Sequence, residues 1–245
     1  MKIHLLSDIH IEHGRIKTLQ MPSISADVCI LAGDIGLAKK DEEYFNFLTT
    51  IKKDFNHVLL VLGNHEFYHM NYITALNKLK EIADSADVKL MDIYFGSENI
   101  TIDNVKFWGT TLWTDFNADD WMVKQKVGLG LNDFHVIDGF TTETAYVTHV
   151  KSLKRINWDA DVVITHHAPI LQRHSKFGIN DISYGFCCTG LDKRIIKSKI
   201  KYWFYGHTHD NRYNDLGGTI VASNQVGYGM EKLSIPYDSK FIITL

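Results

Sequence analysis

The stretch Lys2-Ile3-His4-Leu5-Leu6-Ser7-Asp8-Ile9-His10 decides how the rest of the chain is read. A short, mostly apolar run ends abruptly in two metal-ligand side chains separated by one residue. The same arrangement recurs downstream. Val28 to Ala32 runs into Gly33-Asp34, and Val58 to Leu62 runs into Gly63-Asn64-His65-Glu66. Asp161 to Thr165 runs into His166-His167, and Tyr202 to Tyr205 runs into Gly206-His207-Thr208-His209. Short apolar runs bounded in this way read as strands, and runs without polar alternation suit sheets covered on both faces. Residues i and i+2 of extended backbone point the same way, so Asp8 with His10, and His207 with His209, are expected to face one point together. The glycines before Asp34, Asn64 and His207 are expected to permit turns that a Cβ would resist.

Further strands are predicted at Val105 to Gly109, Thr219 to Ala222 and Phe241 to Leu245. Between the strands lie helical patterns. Asp41 to Phe55 puts Tyr44, Leu48, Ile51 and Phe55 on one stripe, with Asp41 placed to cap it. Tyr72 to Ala83 and Thr141 to Ile156 carry similar stripes. Alternating strand and helix indicates an α/β layered fold, and the strand-rich later half adds a mixed sheet or a second packed sheet. Trp113 to Asp138 and Leu171 to Thr189 resist assignment. Loops of that length in a compact domain tend to serve function. No repeat, low-complexity tract or linker divides residues 1–245, so one domain is expected.

Composition narrows the function classes. Apolar residues make up 45 % of the 245 and charged residues 22 %, an ordinary globular balance. Lys plus Arg total 26 against 29 Asp plus Glu, so the net charge is -3 and no basic footprint for long nucleic acid is present. A small anionic substrate stays compatible, because bound metal ions supply local positive charge. The three cysteines, Cys29, Cys187 and Cys188, are odd in number and two are adjacent, which argues against a disulfide framework. No signal-peptide pattern opens the chain and no run approaches 18 apolar residues, so a cytoplasmic protein without a membrane span is expected.

The five ligand clusters share one position, the carboxyl end of a strand. Open α/β sheets bind ligands at that edge. Scattered surface histidines have no reason to obey such a rule. Taken in order, Asp8-x-His10, Gly33-Asp34, Gly63-Asn64-His65-Glu66, His166 and Gly206-His207-x-His209 resemble the full motif set of the calcineurin-like metallophosphoesterases. Thr111-Leu112-Trp113-Thr114-Asp115-Phe116, Asn132-Asp133-Phe134 and Thr165-His166-His167-Ala168-Pro169 extend the resemblance to small bacterial and phage-type metallophosphatases. Two departures occur. His13 stands where an aromatic residue is usual, and Asn224-Gln225-Val226-Gly227-Tyr228 lacks a proline after the asparagine.

The resemblance implies a four-layer α/β/β/α sandwich and a dinuclear site. Asp8, His10 and His209 would bind one ion, and Asn64, His166 and His207 the other, with Asp34 bridging. Imidazole and carboxylate donors suit two divalent metal ions of the Mn²⁺, Fe²⁺/Fe³⁺ or Zn²⁺ type. The implied reaction is hydrolysis of a small phosphodiester or nucleotide-type phosphate ester by a metal-activated hydroxide, with Asp34 and His65 as catalytic residues. Asn64, His65 and Arg173 are the candidate substrate contacts, Arg173 as a bidentate clamp on a phosphate oxygen. Trp113, Phe116 and Trp121 are candidates for an aromatic wall against a base. His167, His13 and His174 lie near the motifs without an assigned role. The competing readings are an inactive scaffold on the same fold, which would be expected to have lost ligands, and a DNA nuclease, which would be expected to carry additional gripping segments. Oligomeric state is not fixed by the sequence.

Overall fold

The computed structural model describes residues 1–14 and 25–245. Among the described residues, eleven strands are arranged in two sheets. The first has the order β11-β1-β2-β3-β4, from Ile242–Thr244, Lys2–Leu6, Val28–Ala32, His57–Val61 and Lys89–Leu90. The second has the order β5-β6-β7-β8-β10-β9, from Asn99–Ile102, Val105–Thr110, Val162–Thr165, Tyr202–Tyr205, Thr219–Ser223 and Tyr213–Leu216. Inner strands run parallel, and β11, β5 and β9 close the edges antiparallel. The antiparallel edges β5 and β9 and the two-residue β4 are the elements that the apolar pattern hides or blurs, whereas β11 falls within the predicted Phe241 to Leu245. β9 reads Tyr213-Asn214-Asp215-Leu216 and is largely exposed, so burial leaves almost no mark on it.

The period-2 alternation of each strand distributes its side chains between two cores. Ile3, Leu5, Val28, Ile30, Leu59 and Val61 meet Phe107, Val162, Ile164, Phe204 and Ala222 in a core between the sheets. The opposite face of the first sheet, with Leu6, Cys29, Leu31, Val58 and Leu60, is covered by Tyr44, Phe47, Leu48 and Ile51 of α1 (Asp41–Lys52) and Ala75, Leu76 and Leu79 of α2 (Tyr72–Ser85). The opposite face of the second sheet, with Trp108, Val163, Trp203 and Val221, packs on residues around α6 (Thr142–Arg155) and α7 (Asp192–Ile196), among them Leu153 and Ile195. Helix, sheet, sheet and helix make the four layers expected from the sequence. Both sheet faces are covered, which is why the strands read as continuous apolar runs.

Asp41 is not the cap of α1. It is the first helical residue, after Lys40, and its carboxylate accepts from Glu42 N at 3.0 Å and pairs with Lys78 Nζ at 2.8 Å. Within 113–138 the chain forms three short helical segments, α3 (Phe116–Asp119), α4 (Trp121–Gly130) and α5 (Asp133–Val136). Asn117 and Ala118 in α3 are left-handed, so no 3.6-residue period exists there to be read. Asp120 caps α4 by accepting from Val123 N at 3.0 Å.

One buried carboxylate ties the loops after β2 and β3 together. Glu66 accepts from the backbone N–H of Asp34 (3.0 Å), Ile35 (2.8 Å) and Gly63 (2.8 Å), and from the Tyr44 hydroxyl (3.0 Å). Four donors converge on two oxygens at the sheet edge where the ligand residues emerge. Replacing Glu66 with Ala strands buried N–H groups and is expected to destabilise the fold by about 3–5 kcal/mol, measured by urea denaturation. Asp92, at the end of β4, is buried and accepts from Tyr94 N at 2.7 Å. Burial pushes its carboxyl up from 3.8 to about 6 despite that hydrogen bond. A carboxyl raised on folding stabilises the native state when protonated, so its contribution is complete below pH ~4 and fades as pH rises through 6. The stability of the protein relative to an Asp92→Asn variant should therefore fall by roughly 2–3 kcal/mol between pH 4 and pH 8.

Candidate metal centre

The parallel strands deliver their carboxyl ends to one side of the molecule, and the loops beyond them meet there. Asp8 and His10 follow β1, Asp34 follows β2, Asn64 and His65 follow β3, His166 follows β7, and His207 and His209 follow β8. All seven expected ligands come together. Asp8, His10 and His209 present ligand atoms within 4.8 Å of one another, and so do Asp34, His166 and His207. Asp34 joins the two groups: its Oδ2 lies 3.8 Å from His10 Nε2 and its Oδ1 lies 3.4 Å from His166 Nε2. Asn64 Oδ1 lies 2.9 Å from His166 Nε2.

The local backbone differs from the expected extended geometry. Asp8, His10, Asp34, His207 and His209 all have positive φ, between 48° and 68°. Left-handed backbone at a residue bearing a Cβ costs about 1–3 kcal/mol. The paired ligands of each motif thus converge by tight left-handed turns and not by the alternation of a strand. The glycines also serve differently from the expectation. Gly33 does adopt positive φ, at 90°. Gly63 and Gly206 do not, and are needed for space. A Cβ on Gly63 would lie 2.8 Å from His166 Cε1, and one on Gly206 would lie 2.6 Å from Asp8 Oδ2.

Hydrogen bonds at the back of each ring fix which nitrogen faces the cluster. His10 Nδ1 points to Glu12 Oε1 (3.3 Å), His209 Nδ1 to Glu231 Oε2 (2.5 Å) and His166 Nδ1 to the Ala32 carbonyl (2.9 Å). Each of these partners can only accept, so each Nδ1 carries a proton and each Nε2 is turned inward, where it can bind a cation in place of a proton. Asn64 is oriented in the same way. Its Nδ2 donates to Asp133 Oδ1 at 2.7 Å, which leaves the carbonyl oxygen facing the cluster. Asp8 Oδ2 and His207 Nε2 are buried without a hydrogen-bond partner among the described residues. Orphaned buried acceptors, an inward ring of lone pairs and carboxylates of net negative charge fit a site for cations.

The titration tendencies agree. Burial opposes ionisation of Asp34, but the charges of His166, His65 and His10 hold its carboxyl well below the usual range. Burial disfavours protonation of His166, yet Asp34 and Asp8 push it up to about 9. The carboxylates draw positive charge into the cluster.

His65 stands beside this group and is not tied to it in the same way. Its Nδ1 lies 3.0 Å from Glu12 Oε1 and its Nε2 lies 3.0 Å from the Tyr228 hydroxyl. Its backbone N–H donates to Asp34 Oδ1 at 2.9 Å. Glu12 and Glu231 are supporting residues outside the quoted motifs, and Asp133 and Tyr228 lie in quoted segments that carried no assigned role. Gln225 is another: its Oε1 accepts from His209 N at 2.7 Å, within the segment that lacks the expected proline. A cavity of about 400 Å³ opens on Asp34, Asn64, His65, His207 and His209.

Arg173 is not brought to the cluster. It is exposed and does not line the cavity, and its carbonyl accepts from Arg212 Nη2 at 3.1 Å. The expected aromatic wall is also absent. Trp113 and Phe116 are buried in the core beside α2, Trp121 is exposed, and none lines the cavity. His174 does line it. His167 is buried, with its ring 4.2 Å from that of His207 and Nδ1 3.3 Å from the Thr111 carbonyl. His13 lies at the rim, Nε2 3.8 Å from Glu12.

Comparison with known proteins agrees with this geometry. The chain is 24 % identical over 225 residues to an uncharacterized protein of Acanthamoeba polyphaga mimivirus, covering 82 % of this chain and 79 % of that one. The fold is similar to the crystal structure of phosphopantetheinyl hydrolase from Mycobacterium tuberculosis, with a TM-score of 0.71 at 17 % identity over 93 % of this chain and 89 % of that one. The family model for calcineurin-like phosphoesterases matches residues 1–211, which include every ligand residue named above. The chain belongs to the calcineurin-like phosphoesterase family and is a metal-dependent phosphoesterase.

Proposed function

We propose that this protein hydrolyses a small phosphate ester, a phosphodiester or nucleotide-type compound, with two divalent cations. Asp8, His10 and His209 would hold one cation, and Asn64, His166 and His207 the other, with Asp34 shared between them. The observation that carries the reading is the approach of His10 Nε2 to His209 Nε2 at 3.2 Å, with both Nδ1 protons committed to carboxylates. Two ring nitrogens at that distance need a proton or another positive charge between them, and a bound cation would take that place. The donors are imidazole, carboxylate and amide oxygen, with no thiolate among the seven, which favours Mn²⁺, Fe or Zn²⁺. Cys187 lines the cavity but its Sγ donates to the Ser183 carbonyl at 3.2 Å.

When bound, such cations make water nucleophilic near neutral pH and spread the charge of the phosphoryl oxygens. The protein's own groups supply position and protons. Asn64 is held by Asp133, so its carbonyl keeps one orientation toward the cluster. Glu12 receives the Nδ1 proton of His65 and fixes the ring. His65 Nε2 then faces the cavity beside the Tyr228 hydroxyl and is placed to give a proton to the departing oxygen. In the balanced step the oxygen of water bonds to phosphorus and sheds a proton to solvent, the ester P–O bond breaks with its electron pair on the alcohol oxygen, and that oxygen takes the His65 proton, which solvent then restores.

Mn²⁺ should raise the melting temperature of the wild-type protein, and Asp34→Asn should abolish the rise; at 100-fold excess over Kd the stabilisation is about 2.7 kcal/mol. The wild-type protein with Mn²⁺ should cleave bis-p-nitrophenyl phosphate, and no turnover with any divalent metal would refute the proposal. His65→Ala should keep the Mn²⁺-dependent rise in melting temperature while cutting the rate by about 10²–10⁴-fold. Equal losses of metal binding and activity in that variant would place His65 among the ligands instead.

A further inference from the structure

The cavity does not end at the metal cluster. It continues under the segment 170–187 and the turn at 130–133, and there its walls change character. Phe186 stacks obliquely on His207, the ring centroids 4.8 Å apart, so an apolar surface begins directly beside a ligand. Leu131, Ile170, Phe177 and Ile182 extend that surface outward. The uncharged polar groups of Asn132, Gln172, Asn180 and Ser183 punctuate it. This is the long segment Leu171 to Thr189 that the sequence left without an element, and the capping box of Asn180 on Ser183 holds Ile182 and its neighbours in a 3-10 turn.

The charges of the wall are one-sided. Asp34, Asp133, Asp210 and Glu231 line the cavity, and among the described lining residues none is Lys or Arg. The nearby cations are engaged elsewhere. Arg212 pairs with Asp210 at 2.7 Å and donates to the Arg173 carbonyl. Lys176 rests over the Phe177 ring, 5.0 Å from its centre, at the rim. The reacting phosphoryl group can be neutralised at the cluster, but a second phosphate or a carboxylate further out would meet carboxylates and phenyl rings and, among the described lining residues, no Lys or Arg. Desolvating an anion without a partner is far costlier than desolvating a hydrocarbon.

We propose that this lobe receives the alcohol half of the ester and selects an uncharged body with a substantial apolar or aromatic surface, rejecting alcohols that carry a further anionic group. The inference rests on the phosphoesterase reading of the cluster and deepens it. Within nucleotide-type compounds it selects esters with a single phosphate and excludes polyphosphates. A cavity of about 400 Å³ lies at the smaller end of pockets that enclose organic ligands, which fits an alcohol of one or two rings.

The test uses phenyl, 2-naphthyl and 4-carboxyphenyl esters, each as the phosphate monoester and the methyl phosphodiester, with the Mn²⁺-loaded full chain. Their phenols are close in acidity, so differences in kcat/KM report the lobe and not the strength of the bond broken. The 2-naphthyl ester should exceed the phenyl ester by about tenfold and the 4-carboxyphenyl ester should fall below it by at least tenfold. Ile182→Lys should narrow or invert the gap between the carboxyphenyl and phenyl esters, and Phe186→Leu should shrink the naphthyl preference. These are ratios within one protein, so partial misfolding of a variant does not imitate them. Equal kcat/KM for the three esters, or preference for the carboxylate, overturns the lobe. If none is turned over, the hydrolase reading fails, and the lobe is judged by calorimetry with phenylphosphonate and 2-naphthylphosphonate. Binding of the naphthyl compound about tenfold tighter upholds it; equal affinity, or no binding of either, overturns it.

Discussion

Two imidazole nitrogens, His10 Nε2 and His209 Nε2, stand 3.2 Å apart at the meeting point of two sheets, and each ring has its proton engaged on its far side. Much of the surrounding structure makes sense as the scaffolding of that contact. Polypeptide stretches 199 residues apart meet at that one nitrogen-to-nitrogen contact. Packing of the strands behind them supplies the force. Ile3, Leu5, Phe204 and Ala222 share the core between the sheets, and that core brings the ends of β1 and β8 to the same edge. The hydrophobic effect thereby holds together a set of polar groups that has no reason to assemble by itself.

The same economy explains the left-handed backbone of five ligands. Their strain is tolerable because neighbouring groups over-determine each turn. Glu66 accepts from three backbone N–H groups around Asp34 and Gly63, Asp8 Oδ1 accepts from His207 N at 2.9 Å, and Gln225 accepts from His209 N. The carboxylates have a double use, since Asp8 and Asp34 hold backbone while presenting charge to the cluster. Strain at such a site keeps side chains aimed where relaxed backbone would not send them.

Around that cluster the polypeptide divides its labour between rigid and irregular parts. Donors come off strands, whose positions are fixed by two cores. The far wall of the cavity comes from 170–187, where regular elements are short and the sequence is free to vary its apolar and polar groups.

The sequence by itself determined the layering of strands and helices and marked out the candidate ligands. Fully buried parallel strands leave continuous apolar runs, so β1, β2 and β8 were legible to the residue, and the polar residues that end them stood out against that background. What escaped was whatever lacks a burial signature: the exposed edge β9, the two-residue β4, and the left-handed α3. The partners of Asp133, Tyr228 and Glu231 were hidden because each lies tens to hundreds of residues away, and no local spacing records such a pairing. Arg173 illustrates the converse, a residue near a motif in sequence whose loop carries it out to solvent. Composition and period encode which residues are buried; only the packing of the two sheets decides which distant side chains then face each other, because that depends on register and turn geometry summed over the whole chain.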